Sequence, residues 1–270
     1  MTTHGASVLA AGDGEGGGFH TPTLADFFPP AIFFEGTPFE FNRITLVRVL
    51  ATFVLVTVFV LVARRATLVP GRAQGAIELV LDFVRVNIVE EIIGKKTARR
   101  HTPLLTIMFL AIFAMNITGI VPALNIAGSG VIGFPIVMAV IAYGAFIIAG
   151  VRAQGGLGYL RSALFPPGVP WPIYIILTPI EIISTFVLRP ATLAIRLLVN
   201  MVAGHLLLVL CFAATHFLFL EAAAAFKAIG VVTLAAGFAF TVFEIFIAIL
   251  QAYIFVLLTA VYINLSEEAH

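Results

Sequence analysis

The chain has 270 residues, of which 61% are hydrophobic and only 15 are basic and 14 acidic. A soluble domain devotes about a quarter of its residues to Asp, Glu, Lys and Arg, so a water-soluble globule is ruled out and the membrane remains as solvent. The net charge of +1 argues against nucleic acid as a partner, and one cysteine, Cys211, leaves neither a disulfide framework nor a cysteine-based metal cluster.

Residues 1–43 read as a flexible Gly-rich tail followed by an interfacial segment. Gly12, Gly14 and Gly17 formally match G-x-G-x-x-G. That fingerprint binds a dinucleotide only between a strand and a helix, and no strand is expected before Gly12. A secretory signal is equally unsupported, because the apolar run from Ala6 to Ala11 is short and lacks a basic start. Thr23, Leu24, Phe27, Phe28, Ile32 and Phe33 could lie at an interface, broken by Pro29 and Pro30.

Crossing the hydrocarbon takes about 20 apolar residues as helix. The run from Ile44 to Ala63 supplies the first span, with Arg48 near enough to one end to snorkel. Arg64, Arg65 and Arg72 follow it, and Lys95, Lys96, Arg99 and Arg100 precede the next uncharged run, Thr102 to Leu124. Both clusters mark the cytoplasmic side. The run from Gly130 to Val151 returns to Arg152 and Arg161 on that side, which places the N-terminus outside.

Between the first two spans, Ala73 to Gly94 carries Glu78, Asp82 and Arg85 at helical spacing among Leu79, Val80, Phe83, Val84, Val86 and Ile88. This pattern predicts an amphipathic surface helix that docks a neighbour. From Trp171 to Leu220 the chain is apolar yet carries Glu181, Arg189, Arg196, His205 and His216. A continuous helix of that length would reach about 75 Å against a core of about 30 Å, so it must break, lie along the interface or tilt steeply. Ala228 to Asn264 is similarly overlong and contains Glu244 and Gln251. If the two stretches form one out-and-back hairpin, the C-terminus is cytoplasmic. The expected fold is an all-α membrane protein with about five membrane-embedded helices and one membrane-surface amphipathic helix. It divides into the tail, an integral domain over 44–264 and a short acidic tail over 265–270.

The chemistry lies in the hairpin. A charge in hydrocarbon costs about 2.5 to 3.5 kcal/mol on insertion scales, so Arg196, flanked by Leu193, Ala194, Ile195, Leu197 and Leu198, requires a reason. At 100° per residue Arg189, Arg196, Asn200 and Ala203 share one stripe while His205 points to the opposite side. On the last helix Gly237, Thr241, Glu244, Ala248 and Gln251 form a stripe of small and polar residues, which permits close approach or leaves room for water. An Arg, a His, a Glu and a Gln on adjacent helices suggest a wet ion path more than a structural ion network.

The run Arg189-Pro190-Ala191-Thr192-Leu193-Ala194-Ile195-Arg196-Leu197-Leu198-Val199-Asn200-Met201-Val202-Ala203-Gly204-His205 resembles the signature of subunit a of rotary ATP synthases, in which a Pro precedes R-L-x-x-N-M-x-A-G. Gln251-Ala252-Tyr253-Ile254-Phe255 and the following residues through Tyr262 resemble that family's closing L-Q-A-[FY]-I-F-x-x-L-T-x-x-Y. Pro70-Gly71, the Glu78 to Val84 helix and Met115-Asn116 are lesser matches, so the likeness covers about Pro70 to Tyr262.

The resemblance implies the stationary half of a proton turbine. Two aqueous half-channels would meet a rotor ring of small hairpin subunits, subunit c, each with a buried carboxylate, and the last two helices would form a long tilted hairpin beside that ring. It also implies the peripheral stalk subunit b, the soluble ATPase head and a lipid membrane, most simply the bacterial plasma membrane, with no cofactor or metal and no catalysis by this chain alone. The matching arginine is Arg196. Its guanidinium stays protonated where His or Lys might relay a proton. Asn200 lies in the same signature, and Glu181 is a further candidate channel carboxylate. Many relatives carry Glu after A-G and His seven residues before the Gln, whereas His205 and Glu244 stand there in this chain, so the pair looks exchanged. A Na⁺-coupled form of the same subunit is the alternative, and a secondary transporter is a more distant one, because no internal repeat is evident.

Overall fold

The computed structural model describes residues 31–33, 41–67, 70–121, 124, 127–164 and 171–268. The Gly-rich tail, its formal G-x-G-x-x-G and most of the interfacial segment lie outside the described residues. What is described is almost wholly helical, with one short antiparallel ribbon, β1 (Ala31–Phe33) and β2 (Phe41–Asn42), leading into α1 (Arg43–Arg64). Asn42 starts that helix, its Oδ1 accepting from the Thr45 amide at 3.0 Å, as an N-cap side chain should.

After α1 come α2 (Arg72–Val84), a π-helical segment over Arg85–Glu90, and the single turn α3 (Glu91–Ile93). Then follow α4 (Lys95–Ile117), α5 (Gly133–Gln154) and the short α6 (Gly156–Leu164). Gly94 and Gly155 make the joints between α3 and α4 and between α5 and α6, with φ of 82° and 77°. A side chain there would meet its own backbone, so only glycine turns these corners at low cost.

The overlong segment does not break. α7 (Tyr174–Ile183) passes through a π-helical turn, Ser184–Leu188, into α8 (Arg189–Leu220), and the unbroken run Tyr174–Leu220 contains 47 residues. The last helix, α9 (Lys227–Glu268), contains 42. At 1.5 Å per residue these are about 70 and 63 Å long, so of the three options a steep tilt is the one consistent with a core of about 30 Å. Among the described residues, five helical segments are long and apolar enough to cross a membrane: α1, α4, α5, the α7–α8 run and α9. The protein is an all-α integral membrane protein.

The second half of α9 is the hub. Ala252, Phe255, Val256, Ala260 and Ile263 are buried against Leu105 and Ile112 of α4, Ala142 and Phe146 of α5, and Leu193 and Leu197 of α8. The amphipathic α2–α3 region docks on the same core through Val84, Ile88 and Val89, all fully buried. Its hydrophobic stripe therefore has a protein partner. The acidic end expected as a tail is instead helical as far as Glu268, and Glu267 Oε1 lies 3.0 Å from His101 Nε2 at the start of α4.

Arg48 was expected to snorkel, and it does not. It turns inward, where its Nε donates to the Gly128 carbonyl at 2.7 Å and its Nη2 to the Val131 carbonyl at 3.2 Å. Arg43 donates to the Leu124 carbonyl at 3.1 Å. The connection between α4 and α5 has carbonyls without helical partners, and a guanidinium with donors in a fixed fork satisfies two of them at once. Gly128 in turn donates to the Met115 carbonyl and the Thr118 hydroxyl, and Ser129 Oγ donates to Asn116 Oδ1. α1 thus holds the loop that folds over the end of α4.

Hydrogen bonds to a charged group are worth about 1.5 to 3 kcal/mol each. In Arg48→Leu, amide hydrogen exchange over residues 127–132 should accelerate by roughly tenfold or more in the purified complex, while the core of α9 stays protected. Unchanged exchange there would mean that α1 does not hold the loop.

Candidate functional site

The polar residues of the long hairpin gather along the seam between α8 and α9. At its start, the Arg189 guanidinium sits 5.2 Å from the centroid of the Tyr262 ring, a cation–π contact that joins the first turn of α8 to the far end of α9. Arg189 therefore stacks on the neighbouring helix rather than reaching for the interface. Two turns further on, Arg196 is partly exposed, with no ion pair or hydrogen bond among the described residues. Its neighbours Ile195 and Val199 are 54% and 52% exposed, so the guanidinium emerges on an apolar outer face of α8.

One turn beyond Arg196, Asn200 Nδ2 donates to Gln251 Oε1 at 2.8 Å. Gln251 is buried, so its amide meets the Arg196 stripe at Asn200 and not at the guanidinium itself. The amide nitrogen of Gln251 has no partner among the described residues. The next point of contact is Gly204 against Glu244. A Cβ at Gly204 would lie 2.6 Å from Glu244 Oε1, so only glycine leaves the space this carboxyl occupies. Both oxygens of Glu244 are buried and unpartnered among the described residues. Buried polar atoms of this kind are uncommon and costly, and inside a membrane they mark functional positions.

His205 is also buried, one residue past the glycine that faces Glu244. It makes no hydrogen bond to the Glu244 carboxyl, whose oxygens are unpaired. Its position on α8 is offset by 100° from that of Gly204, the residue that faces Glu244. Asn116 of α4 closes the third side. Together with Asn200, Gly204, Glu244 and Gln251 it lines a narrow cleft, with Met201 and Ala248 as apolar walls. The cleft offers the centre of a water molecule about 10 Å³, the scale of a single water.

Of the residues singled out from sequence, Asn200, Gln251 and Glu244 meet in this cleft. Arg196 lies one turn before Asn200, and His205 follows Gly204 in the chain but is not part of the cleft's lining. Glu181 is not brought in: it belongs to α7, about 22 Å along the same helical run from Arg196 at 1.5 Å per residue. Asn116 was visible only as part of a minor motif match. Its signal was an amide in the apolar end of α4, and its role depends on Ser129 and on the loop that Arg48 anchors.

A family model described as ATP synthase A chain matches residues 45–264. The chain is 48% identical to the ATP synthase subunit a of Rhodococcus erythropolis, over 93% of this chain and 91% of that one. It is 37% identical to the ATP synthase subunit a of Pseudarthrobacter chlorophenolicus over 97% and 99% of the two chains. With that of Streptomyces lividans it shares 33% over 95% and 90%. The matched span takes in all five long apolar helices nearly whole, with the whole polar seam inside it, and the chain accordingly belongs to the ATP synthase A chain family, together with proteins named ATP synthase subunit a.

Proposed function

We propose that this chain is the stationary proton channel of an ATP synthase, in which two half-channels deliver protons to and from the carboxylates of a rotating ring of c subunits. The observation that carries this reading is the order of groups along one seam. An outward-facing Arg196 comes first, then the Asn200–Gln251 amide pair, then a buried Glu244, and among the described residues neither Arg196 nor the Glu244 carboxyl has a hydrogen-bond or ion-pair partner. A fixed cation on the outer face beside a narrow polar cleft suits ion transfer to a moving partner; a static network would have paired these groups with one another. Subunit b, the soluble ATPase head and surrounding lipid complete the proposed assembly, in a bacterial plasma membrane. Arg64, Arg65, Arg72, Lys95, Lys96, Arg152 and Arg161 flank the ends of α1, α4 and α5, and the positive-inside rule then sets the N-terminus outside and the C-terminus in the cytoplasm.

Arg196 acts by electrostatics. At 4 Å and an effective dielectric of about 20, its attraction for a ring carboxylate is worth about 4 kcal/mol before desolvation. A carboxyl passing it must release its proton to one half-channel and can regain one only from the other. His205 and Glu244 lie toward the α8–α9 connection, which in this orientation faces outside, so they line the entry half-channel. Glu244 is the relay, His205 tunes it, and Asn200 with Gln251 separates this channel from Arg196. Glu181, near the opposite end of the α7–α8 run, is a candidate for the exit half-channel.

Arg196→Ala should abolish proton-driven ATP synthesis in inverted vesicles while the complex still assembles. Arg196→Lys should fail as well, because an ammonium out of water against the ring can lose its proton where a guanidinium does not. Near wild-type pumping by the lysine variant would remove Arg196 from this role.

Gln251→Glu introduces a carboxylate one turn from Arg196. It should trap the guanidinium in a static pair and slow ATP-driven proton pumping severely. Gln251→Leu loses only the bond to Asn200, worth about 0.5 to 1.5 kcal/mol, and should be milder. Unimpaired pumping in both variants would take Gln251 out of the mechanism.

His205→Glu and Glu244→His test the entry channel. Each exchange alone should cut proton flux, and the two together should recover more than either one. Groups that share a site couple by about 0.5 to 3 kcal/mol. Strictly additive losses in flux across this double-mutant cycle would place the two residues in separate paths.

A further inference from the structure

Away from the seam, the ends of α4 and α5 that carry positive charge enclose a second cleft. Both helices pack along α9 and only slightly on one another, which leaves a space of about 200 Å³ between them. Arg100, His101 and Leu104 line it from α4, and Ala145, Ile148 and Arg152 from α5. Ala145, Ile148 and Arg152 recur at the spacing of one helical face, so the apolar residues form a track with Arg152 at its outer end. Arg100 stands at the same end of the antiparallel partner. The two guanidiniums therefore flank the mouth of an apolar groove.

The walls of this cleft are held in place. His101 Nε2 lies 3.0 Å from Glu267 Oε1, and Gln154 Nε2 donates to the Ser266 carbonyl at 2.8 Å, so both helix ends are fixed to the end of α9. Glu267 is thereby engaged by His101. Neither Arg100 nor Arg152 has an ion pair or hydrogen bond among the described residues. Two arginines without counterions above an apolar track fit a ligand with an anionic head and a hydrocarbon tail. Guanidinium forks match phosphate oxygens in pairs, and basic pockets between membrane helices on one leaflet recruit acidic lipid head groups. Free phosphate would leave the track bare, and Ile148, 51% exposed, opens that track sideways toward lipid. A partner helix about 10 Å across is too wide for a cleft this small and would have to bring acids to meet both arginines.

We propose that this cleft binds one anionic phospholipid, with its phosphate between Arg100 and Arg152 and an acyl chain along Leu104, Ala145 and Ile148. The bound lipid would bridge α4 and α5, which pack only slightly on each other.

The test uses the intact ATP synthase, reconstituted in phosphatidylcholine vesicles containing a small fraction of phosphatidylglycerol with a photoreactive acyl chain. After irradiation, labelling is read on peptides containing residues 100–104 and 145–152. The phosphatidylglycerol probe should label them about tenfold more than the matching phosphatidylcholine probe, and R100Q with R152Q should remove most of that excess, as expected for two basic contacts. Lys96→Gln with Arg99→Gln removes the same two charges from the adjoining basic cluster but leaves the lining of the cleft intact, and it should label like wild type. Excess inorganic phosphate should not compete. Equal labelling in the double variant, equal labelling by the neutral probe, competition by phosphate, or cross-linking of these peptides to another subunit in place of lipid would each overturn the assignment.

Discussion

The Glu244 carboxyl sits where it does between α8 and α9 because the residue facing it is glycine. A Cβ at Gly204 would lie 2.6 Å from Glu244 Oε1, so the end of that side chain would have to move from its present place. Much of the site follows from that close approach. It sets Asn200, one turn back, opposite Gln251 at hydrogen-bonding distance, and it brings Ala248 in as an apolar wall. The cleft is then narrow, on the scale of a single water, with the side chains of Asn116, Asn200, Glu244 and Gln251 in its lining. Small residues are how membrane helices gain proximity, since lipid tails are as apolar as leucine and supply no squeeze.

Length is the second constraint. Runs of 47 and 42 helical residues cannot stand upright in a core of about 30 Å, so both must cross obliquely. The longer one is continuous through a π-helical turn at Ser184–Leu188, just before Arg189 and Pro190. Such turns alter the angular position of everything that follows, and they recur near functional sites. Here the turn precedes the stripe that carries Arg196. Obliquity also spreads that stripe sideways along the outer face, where Ile195 and Val199 flank Arg196.

The five long helices were legible because hydrocarbon thickness converts directly into residue count, and the amphipathic helix because its charged positions recur at helical spacing. The motif residues on α8 and α9 were legible because polar side chains inside apolar runs are expensive and therefore stand out. What could not be read was pairing at a distance. Arg48 looked like a snorkelling residue because its place in the chain shows how near the helix end it lies but not the loop carbonyls some 80 residues away. Glu267 looked like part of a polar tail for the same reason, with His101 as the hidden partner. Helical phase places Gln251 on the same face of α9 as Glu244, but it cannot name the partner across the seam, which is Asn200, one turn beyond Arg196. Glu181 shared its helix with Arg196, and only the unbroken course of that helix shows how far apart they are.

These distant polar contacts also explain how α9 keeps its register. Within lipid, sliding one apolar helix along another changes little apolar burial, so hydrophobicity fixes a face but scarcely a height. Height must come from directional contacts. α9 has them near both ends and in the middle: Thr233 with Thr215 at 2.9 Å, Gln251 with Asn200, Tyr262 beneath Arg189, Ser266 with Gln154 and Glu267 with His101. A slip of one turn, about 5.4 Å, would break all of them together. It would also move Glu244 away from the one position on α8 with no side chain to displace it. The peripheral contacts far from the cleft therefore act on the chemistry, because they hold the carboxyl opposite its glycine.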